Sequence, residues 1–185
     1  MFENIEQVHS IVAQVILGLA IAEEALQFEH RDIQMENVLV KMTPNETAVF
    51  VYNKKKIVLH TRGVIACVID FNLSRATIDG RPVYYDPSRH FTTDFLEERS
   101  CMAFDTMRGA LRNNWSTFLP ETNVQGTLQF LYEIEIFLRN QDYEESALKT
   151  IQSLKTELNQ YKALSTFASR STVLPKLLLL ESTHP

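Results

Sequence analysis

Two short stretches decide how the chain is read: Phe28-Glu29-His30-Arg31-Asp32, with Asn37 five positions after the aspartate, and Ile69-Asp70-Phe71-Asn72. Each sets charged or amide side chains directly beside apolar runs. Upstream, Ile5, Val8, Val12, Val15, Leu19 and Ala22 recur at threes and fours, which predicts one long helix from Ile5 to Phe28. Ile11, Ile16 and Leu26 widen the apolar stripe, so protein should cover most faces of that helix. Downstream, Val38-Leu39-Val40-Lys41 reads as a short strand, and Pro44 and Asn45 mark a turn.

Alternation resumes in Ala48-Val49-Phe50-Val51-Tyr52 and returns in Ile57-Val58-Leu59-His60, a hairpin over 48–60 with Lys54, Lys55 and Lys56 at its tip. Val64 to Ile69 is a continuous apolar run that suits a buried strand, with Cys67 inside it as a small buried hydrophobe. From Leu73 to Phe95 the chain reads as irregular, broken by Gly80, Pro82 and Pro87. The remainder, 97–170, is predicted helical: Glu97 to Leu111, Thr127 to Leu138, and a third helix capped by Asp142. That third helix carries Leu148, Ile151, Leu154, Leu158, Tyr161, Leu164 and Phe167 as a core stripe. The fold class expected is mainly α with a small β component, in one domain over residues 1–185.

The composition narrows the function. In 185 residues, 45% hydrophobic and 22% charged content is that of a globular chain, which excludes disorder. A formal net charge of −5 argues against direct nucleic-acid binding and favours a basic partner. The two cysteines, Cys67 and Cys101, give neither a disulfide framework nor metal-ligand spacing. Ile11 to Ala22 is too short to span a bilayer, and the first basic residue is Arg31, so neither a membrane partner nor a signal peptide is expected. An intracellular, reduced location follows, which makes the sequons at Asn72 and Asn114 incidental.

The residue types in the two deciding stretches suit phosphoryl transfer, which needs a carboxylate near an attacking hydroxyl and oxygen ligands for magnesium. Asp32 would accept or orient the hydroxyl proton. Asn37, a neutral oxygen donor, and Asp70, a charged one, would hold the metal. Phe71 would pack inward and fix the direction of Asp70, while His30 and Arg31 would hold the loop. Each of these taken alone also fits capping and turn chemistry; the paired motif in this order is what favours the site.

The order of long helix, His-Arg-Asp-x-x-x-x-Asn, hairpin, strand and Asp-Phe-x resembles the C-terminal lobe of a eukaryotic protein kinase. More closely it is similar to the haspin family of serine/threonine kinases. Phe28 to Asp32 with Asn37-Val38-Leu39-Val40, and Ile69 to Arg75, carry that resemblance, and Asn72 stands where most kinases have glycine. Tyr84-Tyr85-Asp86-Pro87-Ser88 and Ala103 to Arg108 fall where comparable family segments fall.

The resemblance implies ATP and magnesium as cofactors and a core histone tail as a basic protein substrate, phosphorylated in mitosis in the nucleus or on the chromosome. It also implies Asp86 as a contact for that tail and Asp105 as a brace beneath a catalytic loop at 28–41, with the metal-binding segment in 64–75. Kinases further use a glycine-rich loop and a lysine–glutamate pair in an N-terminal lobe. Before His30 the chain has one glycine, Gly18, and no lysine, so the expectation is a C-terminal lobe without its N-terminal lobe. That lobe would be a fragment or shortened form of a kinase; the alternative is a catalytically inactive module that binds a basic peptide through an acidic groove.

Overall fold

The computed structural model describes residues 4–52, 54–87 and 107–178. Helix α1 (Ile5–Leu26) starts where the Asn4 side chain accepts the Gln7 amide at 3.0 Å, and it ends at Gln27 in the left-handed conformation. It is long and apolar enough to cross a bilayer, longer than the stretch Ile11 to Ala22 implied, yet 67% of its most apolar window is buried inside the protein. Val8, Val12, Ile16 and Ala20 are fully enclosed, so α1 is the central rod of the core.

Among the described residues the strands form three two-stranded antiparallel sheets. Strand β1 (Val38–Met42) pairs not with its successor but with β4 (Val64–Val68), in the register Val38↔Val68 to Met42↔Val64. Nested between them, β2 (Thr47–Tyr52) and β3 (Lys55–His60) form the expected hairpin. The outer edge of β4 is completed by a side chain: Gln14 of α1 accepts the Ala66 amide at 2.9 Å and donates to the Val64 carbonyl at 3.0 Å. With one face on α1 and the other open, β4 is half-buried, so Cys67 is exposed and not the enclosed hydrophobe that the apolar run implied. Residue alternation puts Cys67 on the open face beside its partner Leu39.

The stretch expected to be irregular holds a third hairpin, β5 (Arg75–Ile78) and β6 (Arg81–Tyr84), joined at Asp79-Gly80. Both turn residues have positive φ, 50° and 74°, the backbone a two-residue hairpin loop requires and the reason glycine stands there. Pro82, which cannot donate to a ladder, is tolerated because β6 is an edge strand.

Helix α2 (Glu121–Asn140) extends past both ends of its predicted span. The long apolar stripe that follows is divided between α3 (Glu145–Leu158) and α4 (Leu164–Arg170), and a short helix, α5 (Leu174–Leu178), comes last among the described residues. Asp142 does not cap α3: it sits in the connection with φ 54°, and Glu144 occupies the cap position. The stripe residues Ile151, Leu154, Leu158, Leu164 and Phe167 are all enclosed in the core with α1. The architecture is mainly helical, with small antiparallel sheets at one flank of α1.

Candidate active site

The loop that carries His30, Arg31 and Asp32 leaves α1 through Gln27 and runs to a 3-10 turn at Met35–Asn37. It is held from beneath by polar groups that are almost wholly out of water. Glu29 and Arg31 make a bidentate ion pair, with Nη2 to Oε1 at 3.0 Å and Nε to Oε2 at 3.1 Å. The remaining capacity of both groups is taken up locally. Arg31 donates to the carbonyls of Trp115 and Thr117 at 2.9 and 3.1 Å, and its guanidinium lies 5.7 Å from the Trp115 ring centre. Glu29 accepts the Leu119 amide and the Thr122 hydroxyl at 2.9 and 2.8 Å. A buried charge pair survives only when its spare donors and acceptors are satisfied in this way. The network also explains how Arg31 holds a left-handed backbone, φ 67°, that a non-glycine residue normally avoids.

Asn123 of α2 supplies the second support. Its Oδ1 accepts the His30 amide at 3.1 Å, and its Nδ2 donates to the Phe28 carbonyl at 2.7 Å and to Glu23 at 2.9 Å. The Glu23 carboxylate, itself buried, accepts the Leu164 and Ser165 amides at the start of α4. One chain of hydrogen bonds therefore links α4, α1, α2 and the loop. At the loop's far end, Glu133 of α2 accepts the Met35 amide at 2.7 Å.

The Asp70 segment is locked to the loop through its backbone. The Ile69 amide donates to the Asn37 carbonyl and the Ile69 carbonyl accepts from His30 Nε2, both at 2.9 Å. One residue on, Asp70 takes a left-handed conformation, φ 62°, and the chain turns through Phe71–Leu73. Glu29 and Arg75 then exchange amide and carbonyl, each at 2.8 Å, and Ser74 donates to the His30 carbonyl. His30 has no exposed surface. Burial holds its pKa below the usual 6.5, against the opposing pull of the Ile69 carbonyl and of Asp32 and Asp70. The ring is therefore neutral with its proton on Nε2, where the carbonyl needs a donor.

Asn37 donates from Nδ2 to the Asp32 carbonyl at 2.8 Å and, at 3.3 Å, to the Asp32 carboxylate. This fixes the amide so that its oxygen is left for another partner. Asp70 accepts no hydrogen bond from the described residues. Asp32, Asn37 and Asp70 are thus gathered at one place, Asp32 through Asn37, and Asp70 through Ile69.

Phe71 differs from its expected position. Its ring meets Phe28 and His30 at 6.0 and 5.4 Å between centres, but it is 57% exposed. The left-handed step at Asp70 and the turn after it bring the ring to the surface, where it covers His30 without being enclosed. Asp86 is partly buried two residues beyond β6, and Asp105 lies outside the described residues. Among the described residues Thr122, Asn123 and Glu133 reach the loop from α2, and Asn123 makes the most bonds. Nothing local marks it in the sequence, because an asparagine near a helix start normally reads as a cap.

The family model for the haspin-like kinase domain matches residues 1–175. A serine/threonine-protein kinase haspin homolog of Drosophila melanogaster is 36% identical over 126 residues, 66% of this chain and 22% of that protein. The homolog of Arabidopsis thaliana is 28% identical over 86% of this chain and 27% of its own length, and the haspin of Bos taurus 36% identical over 65% and 16%. With matches over 16 to 27% of these three proteins, the chain spans about a quarter of their length or less. The chain belongs to the haspin-like kinase family.

Proposed function

We propose that this chain is the C-terminal lobe of a haspin-type serine/threonine kinase, the part that carries the catalytic loop and the metal-binding segment. The observation that supports it best is the double backbone hold on Ile69, which sets Asp70 beside an Asp32–Asn37 pair already joined by hydrogen bonds. Asp32 orients the acceptor hydroxyl and takes its proton. Asn37, with its amide nitrogen committed to Asp32, offers Oδ1, and Asp70 offers an unengaged carboxylate.

These two oxygen donors fit magnesium. The ion is commonly held by one or two protein oxygens with water and phosphate completing its shell, and among the described residues no group of three or more His, Cys, Asp or Glu is placed to hold a metal ion. When bound, the ion would neutralise charge on the phosphate oxygens of ATP. The chain's own contribution is position: a loop fixed from below holds Asp32 where a hydroxyl can meet it. The substrate in this reading is a Ser or Thr on a basic protein tail, a core histone tail being the family's example, with Asp86 as a contact and the nucleus as the setting.

Calorimetric titration of ATP into the purified chain, with and without magnesium, tests this reading. Magnesium-dependent binding that Asp70→Ala abolishes is expected. No binding at millimolar ATP would defeat it for this chain and leave the inactive peptide-binding module in its place.

A further inference from the structure

Two sheet edges of this molecule are finished differently. The margin of β4 is closed by Gln14, whereas on β2 no backbone group of residues 48–51 bonds to anything but β3 among the described residues. Such an edge is usually protected by charged side chains, proline or a bulge. Strand β2 reads Thr47-Ala48-Val49-Phe50-Val51-Tyr52: it carries no charge and no proline, and its register with β3 runs without a bulge.

The hairpin has two unlike faces. Phe50 and Ile57 pack on the core, and Leu59 is enclosed in it. On the other face Val49 and Val51 are 57% and 59% exposed, paired across the ladder with Val58 and Lys56. Lys54, Lys55 and Lys56 at one end are exposed, and among the described residues none of them has an ion pair. In a chain of net charge −5, three successive cations set up a local field of the opposite sign.

We propose that β2 receives an extended acidic segment of another protein as a third strand. Its carboxylates would meet Lys54 and Lys56, and its alternate apolar side chains would lie beside Val49 and Val51. Strand addition draws affinity from main-chain hydrogen bonds and specificity from alternate side chains. Charge decides the occupant: a second copy of the two strands would bring more lysines and no carboxylate. The open edge calls for backbone donors and acceptors in strand form, which a lipid surface does not supply. None of this rests on the kinase reading.

The test uses the whole chain and a short fluorescein-labelled peptide that alternates Val and Thr and ends in a run of Glu. Anisotropy should show binding that weakens with salt and that a peptide with Lys in place of Glu lacks. Lys54→Asn with Lys56→Glu should weaken it about tenfold. Asparagine tolerates the left-handed backbone of Lys54, φ 63°, so circular dichroism of this variant should match the native chain. An N-methylated form of the acidic peptide keeps the charge, loses the edge bonds, and should not bind. Hydrogen exchange at the amides of 47–52 should slow when the unmethylated peptide is bound. Equal binding of the N-methylated peptide, or undiminished binding by the lysine variant, would overturn the proposal. So would a native chain that ignores the acidic peptide, or capture by phosphatidylserine vesicles that the peptide does not compete away. A dimer in sedimentation that Val49→Lys dissolves would also overturn it, by making a second copy the occupant.

Discussion

The two sides of the loop over residues 28–37 are built on opposite principles. Beneath it, Glu23, Glu29, Arg31 and Asn123 are buried and bonded to one another or to backbone. Above it, Asp70 accepts no hydrogen bond from the described residues, Glu36 stands in solvent, and Phe71 and Leu39 are more than half exposed, at 57% and 53%. The lower side specifies where the backbone goes; the upper side keeps its polar atoms available. Satisfied polar groups out of water resist displacement because each broken bond leaves a desolvated partner. The difference teaches that rigid support and open polar atoms have been assigned to different residues around one loop.

The sharpest way to break this contrast is from below. Glu29→Ala leaves Arg31 charged and unpaired, and should cost about 3–5 kcal/mol in urea denaturation. The double variant Glu29→Leu with Arg31→Met should recover most of that, since a buried pair replaced by packing is close to neutral. Asn123→Ala removes three hydrogen bonds, to His30, Phe28 and Glu23, and should cost about 2–3 kcal/mol.

A smaller effect is expected away from the loop, where Glu135 of α2 binds Arg139, Gln152 and Lys155. Their hydrogen bonds, from Lys155 first, hold its pKa down from 4.5 to about 2. The unfolded chain protonates first, so this contribution is complete above pH 4.5 and fades as the pH falls toward 2. Melting temperature against pH should lose that part of its slope in Glu135→Gln, a difference of about 1 kcal/mol at neutral pH. Smallest of all is Asp70→Asn on the upper side, with stability expected within about 0.5 kcal/mol of native by the same urea measurement. A large loss there would mean that the upper side too is structural.

Much of this was legible in the sequence because it is local. The spacing from His30 to Asn37, the stripe of α1 and the hairpin over 48–60 all follow from neighbours a few residues apart. Asp79-Gly80 was equally local, but the Pro and Gly around it read as breakers when they mark a turn and an edge strand. The pairing of β1 with β4 has no such signal, because β4 is placed by its packing on α1 and β1 joins it from a distant part of the chain. The run Val64 to Ile69 implied burial on two faces, and only the packing shows that it has one. The division of the stripe between α3 and α4 was hidden because the residues on both sides of the break keep helical spacing. The supports of the loop were least visible: Glu23 and Asn123 are 100 residues apart and meet only in the fold.

Gln14 carries a consequence of another kind. A strand with a vacant edge is a template on which a second molecule can add a strand, and it is the usual starting point for ordered aggregation. Here one amide side chain, fixed on a buried helix, occupies the two backbone groups that such a newcomer would need first. The chain gains a closed sheet margin without lengthening the sheet, and at high concentration that margin should stay inert.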